Sequence, residues 1–115
     1  MSEKEKKDDS RATAGEAEDE KMEGLFIPFI SGLYTSTMQQ LGKLMNPLTG
    51  KVDRNLDAAQ ATIELVRMLK EKTKGNLTKR ESDAISSALS NMQMNYVDEL
   101  KREEEKDKKN SSKQS

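Results

Sequence analysis

A chain of 115 residues leaves room for one small domain. Charged residues make up 36% and hydrophobic ones 32%, with a mean hydropathy of −0.95, so a compact core carrying polar tails is expected. The absence of cysteine and histidine excludes disulfides, Cys/His zinc sites, thiol nucleophiles and histidine-based triads. A formal charge of −1, no tryptophan and 3% aromatics speak against a nucleic-acid module that works by charge or base stacking.

The first block, residues 1–23, carries a net −4 and has no large apolar residue between Ser2 and Lys21. It cannot bury enough surface to offset the entropy of ordering, so an acidic, disordered N-terminal tail is expected. Thr13-Ala14-Gly15-Glu16 has the capping-box spacing, but no apolar run follows directly, and the pattern is discounted. No signal-peptide stretch follows Met1, and the most apolar run, Leu25 to Tyr34, is about half the roughly 20 residues that a spanning helix needs. A cytoplasmic chain without a membrane span is the expectation.

The helical domain is expected over residues 24–100. Its first helix should run from Leu25 to Met45, with Phe26, Phe29, Ile30, Leu33, Met38, Leu41, Leu44 and Met45 at helical spacing. Pro28 is tolerable near a helix start. Gly32 and Gly42, each costing about 1 kcal/mol in a helix interior, suggest close helix packing. Leu25, Phe26, Ile27, Phe29 and Ile30 are apolar nearly all round the helix, so a second surface should cover them, with Leu25, Phe26, Phe29, Ile30 and Leu33 as the candidate self-association residues. The expected cover is another copy of the chain, most simply in a twofold dimer, or a protein partner.

Asn46-Pro47-Leu48-Thr49-Gly50 predicts a turn. The second helix should start after Asp53 or Asn55, bury Leu56, Ala59, Ile63, Val66 and Leu69, and stop at Gly75 behind Lys70, Lys72 and Lys74. Thr78-Lys79-Arg80-Glu81 is a capping box opening a third helix, whose buried face should carry Ile85, Ala88, Leu89, Met92, Tyr96 and Leu100. Residues 101–115 should continue it as a charged helix at first and then fray from Lys106. The expected fold is therefore all-α: a small three-helix domain, with helices 2 and 3 an antiparallel hairpin and polar tails on either side.

Few residues suggest chemistry. The junction from Lys70 to Arg80 holds five basic residues and one acidic one beside a fresh helix start. Lys72, Lys74, Gly75, Asn76, Thr78 and Lys79 could hold a phosphate or carboxylate there, although each also has an ordinary role in ending or starting a helix. Whether the −4 tail covers this junction, which lies in a +3 segment, stays open at this point. Met38, Met45, Met68 and Met92 read as core filling, and Met94, off the stripe, as a contact residue. Asp53 and Asp57 read as first-turn acids rather than metal ligands, and neither Glu64 nor Glu81 has a catalytic neighbour. No cofactor, metal or catalytic residue is expected. A non-enzymatic, self-associating interaction module is the leading expectation, with an anion or RNA binder at residues 70–80 as the alternative.

The order of these pieces is distinctive: Leu41-Gly42, Asn46-Pro47, Thr49-Gly50, Leu56, Ala59, Ile63-Glu64, Leu69, Lys72-Thr73-Lys74-Gly75-Asn76-Leu77-Thr78, Glu81, Met94 and Tyr96-Val97. It resembles the bacterial family catalogued as domain of unknown function 1844, over roughly Phe26 to Val97. The chain departs from that family's tendencies at Glu64, where aspartate is usual, and at Gln93 and Asn95, where arginine is. The resemblance implies a small helical bacterial protein and no activity, cofactor or catalytic residue.

Overall fold

The computed structural model describes residues 13–114. They form three helices: α1, Ala14–Gln40; α2, Leu56–Lys72; and α3, Lys79–Gln114. No extended strand is present among the described residues, only an isolated bridge between Asn46 and Lys51.

The helix α1 starts eleven residues before the expected Leu25. The discounted Thr13 box is formed: Thr13 Oγ1 accepts from the Glu16 N–H at 3.0 Å, and the Thr13 N–H donates to Glu16 Oε1 at 2.9 Å. These bonds satisfy two helix-start donors, and Met22, Leu25 and Phe26 supply apolar surface within the next three turns. The described part of the tail, residues 14–23, is thus helical rather than disordered, and the expectation for residues 1–12 lies outside the described residues.

Pro28 consequently stands inside the helix rather than near its start. Its ring nitrogen cannot donate to the Gly24 carbonyl, a loss that the packing of α1 must offset. The far end is also displaced, since α1 stops at Gln40 and not at Met45. Gly42 takes φ +81°, the left-handed conformation that ends helices, so it is a stop signal and not a packing glycine. Gly32 is inside the helix but exposed, with nothing within 4 Å of where a Cβ would stand, so close packing within the domain does not account for it.

Between α1 and α2 the expected turn forms. The Gly50 N–H donates to the Asn46 carbonyl, the Leu48 N–H donates to Asn46 Oδ1, and Gly50 takes φ +70°. Of the two expected caps for α2, Asn55 is used: its Oδ1 accepts from the Ala58 N–H at 3.0 Å. The end of α2 follows the sequence reading, with Lys70 and Lys72 in the last turn and Gly75 at φ +86°. At the start of α3, the Thr78 N–H donates to Glu81 Oε1 and Thr78 Oγ1 accepts from the Glu81 N–H, closing the expected box.

The helices α2 and α3 form an antiparallel hairpin, and α1 lies across both, running parallel to α3. Glu23 of α1 meets Thr78 at one end, and Lys43 just beyond α1 meets Asp98 at the other. All three helices contribute to one core: Ile30, Met38 and Leu41; Ala59, Ile63 and Val66; Ile85, Leu89 and Met92. Leu56, Leu69, Leu77, Ala88 and Tyr96 pack against it. Met45 and Met68, expected inside, are 54% and 42% exposed, because the turn carries Met45 off the helix and Met68 falls beside the buried stripe. Leu100 is exposed as well, and its neighbour Glu99 is buried instead.

The helix α3 continues through the segment from Lys106 to Gln114. Glu104 and Glu105 precede Lys108 and Lys109 by four residues, the spacing at which opposite charges support a solvated helix. The arm of α1 before Met22 and the arm of α3 beyond Glu103 extend from opposite ends of the bundle, giving extents of 75 × 32 × 20 Å.

Candidate functional site

The residues with unassigned surface concentrate where α1 passes the turn between α2 and α3. An exposed apolar stripe runs along α1 through Met22, Leu25 and Phe29, which are 48%, 68% and 54% exposed. Their spacing of three and four residues keeps them on one face. Together with Phe26, and with Thr73, Asn76, Leu77 and Glu81 across the gap, they line a shallow groove of about 340 Å³. Large apolar side chains in water at this density are what an interaction surface offers.

The five expected self-association residues divide. Leu25 and Phe29 are exposed; Phe26 and Leu33 are partly buried against the core; Ile30, at 2% exposure, is a central core residue. Ile30 is therefore corrected from an interface residue to an internal one: α2 and α3 already cover its face of the helix. Met22 and Leu77 complete the groove and lie outside the expected set. Met22 was legible only once the Thr13 box is accepted, because that box places it on the same helix as Leu25 and Phe29.

The six residues of the expected anion site do lie together, at the α2–α3 connection, but acidic side chains already occupy its helix start. Thr78 Oγ1 donates to Glu23 Oε2 in a short hydrogen bond, and Glu81 takes the Thr78 N–H. Arg80 Nε lies 4.0 Å from Glu23 Oε1. The acidic segment thus reaches the basic junction through Glu23. Lys72 and Lys74 remain exposed, and Lys79 pairs with Asp83 at 3.1 Å within α3. A cleft of about 470 Å³ beside them is lined by Arg67, Lys70, Lys74 and Glu71 among others.

At the opposite end, ion pairs clasp the α1–α2 connection to α3. Glu99, with an 8% exposed side chain, accepts from Lys43 Nζ at 2.8 Å and Arg54 Nε at 3.2 Å. Arg54 also donates to the Glu99 carbonyl at 3.1 Å and to Glu103 at 2.9 Å, while Lys43 reaches Asp98 at 2.9 Å. Burial raises the Glu99 carboxyl, but the Lys43 hydrogen bond and the charges of Lys43, Arg102 and Arg54 outweigh it and hold the group below its usual range. Lys43 holds Asp98 low too, and Glu99 and Asp98 hold the Lys43 ammonium high. These groups satisfy one another, which makes the cluster a structural clasp rather than an activated site.

Elsewhere, Glu64 pairs with Arg67 at 2.9 Å, and Asp57 lies in the first turn of α2. Met94, 68% exposed, lines an open groove on α3 with Gln93, Val97 and Lys101. No helix among the described residues is long and apolar enough to cross a membrane.

The fold and this surface define a small all-α, three-helix domain with an uncovered apolar groove. The chain belongs to the family described as Domain of unknown function (DUF1844), whose model matches residues 23–99. That match spans the junction, Glu99 and the groove apart from Met22, and omits most of the acidic arm. No curated protein and no solved structure shows a match to the chain.

Proposed function

We propose that this protein is a non-enzymatic interaction module of the bacterial cytoplasm that associates with itself through α1. The observation that carries the reading is the exposure of Leu25 and Phe29, 68% and 54%, on one face beside the apolar groove. Fully burying a large apolar side chain contributes roughly 1.5–3 kcal/mol, and a twofold pairing buries each of these twice, against an association cost of at least about 4 kcal/mol.

The test replaces Leu25 or Phe29 with glutamate and compares molar mass by light scattering. Both side chains are exposed, so the helix signal in circular dichroism should be retained while the mass falls to that of one chain. A folded variant that keeps the oligomeric mass of the parent would refute the reading.

A second reading, binding of RNA or a phosphorylated ligand at the basic junction, is favoured by the exposed Lys70, Lys72 and Lys74 beside the second cleft. Affinity for RNA at low salt that disappears when Lys72, Lys74 and Lys79 become glutamine would support it. Absence of binding at low salt would end it.

A further inference from the structure

The exposed stripe of α1 extends beyond its three bulky residues in both directions. Glu18, Met22, Leu25, Phe29, Gly32 and Ser36 are separated by four, three, four, three and four residues, the spacing of a coiled-coil seam. At about 100° per residue this seam is centred roughly 120° around the helix from the core stripe that contains Ile30. Its members are exposed, except Ser36, which is half-buried. The helix α1 therefore carries two faces: one used inside the domain, and one that the domain leaves uncovered from Glu18 to Gly32.

The seam is graded in size and in charge. Its middle is bulky, and its C-terminal part is small, with open space around Gly32. Glu18 is its one charged member, because Glu16, Asp19, Glu20 and Glu23 lie roughly 100–160° around the helix from it, and Ser31 to Gln40 contains no charged residue. A parallel pair would set Glu18 against Glu18 and leave Gly32 facing Gly32. An antiparallel pair sets Glu18 beside the uncharged stretch Ser31 to Gln40 of the facing helix. In the register centred on Ile27, Leu25 faces Phe29 of the second copy, Met22 fills the space over Gly32, and Glu18 faces Ser36. Both gradients are matched by the same arrangement.

Resting on the self-association reading, we propose that two copies pair through α1 in an antiparallel, twofold register centred on Ile27. The occupant of the groove is then the α1 helix of a second copy. Gly32 has a role in this arrangement that the single domain does not give it: it admits Met22 of the facing helix.

The chain has no cysteine, so single substitutions give unique thiols. Full-length E18C and S36C proteins, one carrying a tag, would be mixed and treated with a short bismaleimide, and each would also be treated alone. The antiparallel register brings Glu18 against Ser36 of the other copy, while like positions lie about 27 Å apart along the axis. The expected product is a mixed species at twice the 13.0 kDa chain mass, formed only when both variants are present. Cross-linking of E18C with itself would establish parallel pairing and overturn the proposal. A dimer by sedimentation that forms neither product would overturn the register and leave self-association standing. A monomer by sedimentation for the unsubstituted chain would overturn both.

Discussion

Replacing Glu99 with alanine should destabilise the domain by about 2 kcal/mol. Hydrogen bonds to charged groups contribute about 1.5–3 kcal/mol each, and removing one partner of a buried pair costs about 3–5 kcal/mol. The Glu99 side chain is 8% exposed, but Lys43 and Arg54 are 25% and 33% exposed. After the substitution Lys43 still has Asp98 at 2.9 Å, and Arg54 still has Glu103 at 2.9 Å. Neither cation is left dry and alone, which places the loss at the lower end of those ranges. For a domain of this size about 2 kcal/mol lowers the melting temperature by roughly 8–16 °C. Urea titration followed by circular dichroism at neutral pH measures the change directly. Glu99→Gln, which keeps an acceptor for Arg54, should lose about half as much. A Glu99→Ala loss below about 0.5 kcal/mol, the size of an ordinary surface change, would refute the clasp.

The same clasp should make stability depend on pH. The Glu99 and Asp98 carboxyls are held below their ordinary values, so their contribution is complete above the unfolded values of about 4.3 and 3.9 and is lost as pH falls through the folded ones. The urea midpoint should therefore decline from about pH 5 downward, and more shallowly in Glu99→Gln; identical declines would contradict the assignment. At the alkaline end the sign reverses, because the raised Lys43 value makes its contribution present below about 10.4 and lost as pH rises through the folded value. Gly42→Ala should cost about 1–2 kcal/mol from the left-handed backbone alone. The added Cβ would also stand 3.2 Å from Arg54 Cδ, so thermal melts showing no loss would refute the role of Gly42 as the stop of α1.

The three-helix architecture was legible because each domain helix carries a periodic apolar stripe and local boundary chemistry. Asn55, Gly75 and the Thr78–Glu81 box act where their residue types suggest, since capping is settled within four residues of sequence. The start of α1 was not legible by the same reasoning. The Thr13 box has no adjacent apolar run, yet Glu23 docks on Thr78, 55 residues away, and local periodicity carries no trace of that contact. The burial of Ile30 is hidden for a related reason. The stretch from Leu25 to Leu33 is apolar around much of the helix, and only the position of α2 and α3 decides which part becomes core. Glu99 carries no local sign of burial, since it stands beside the apolar stripe and just before a charged segment. Its burial depends on Lys43 and Arg54, which arrive from a connection more than 40 residues earlier.

Sedimentation equilibrium of the unsubstituted chain, over a wide range of concentration, tests self-association most directly. The account predicts a molar mass that rises from 13.0 kDa toward twice that value as concentration increases, and that does not depend on added RNA. A mass fixed at 13.0 kDa across the whole range would contradict it.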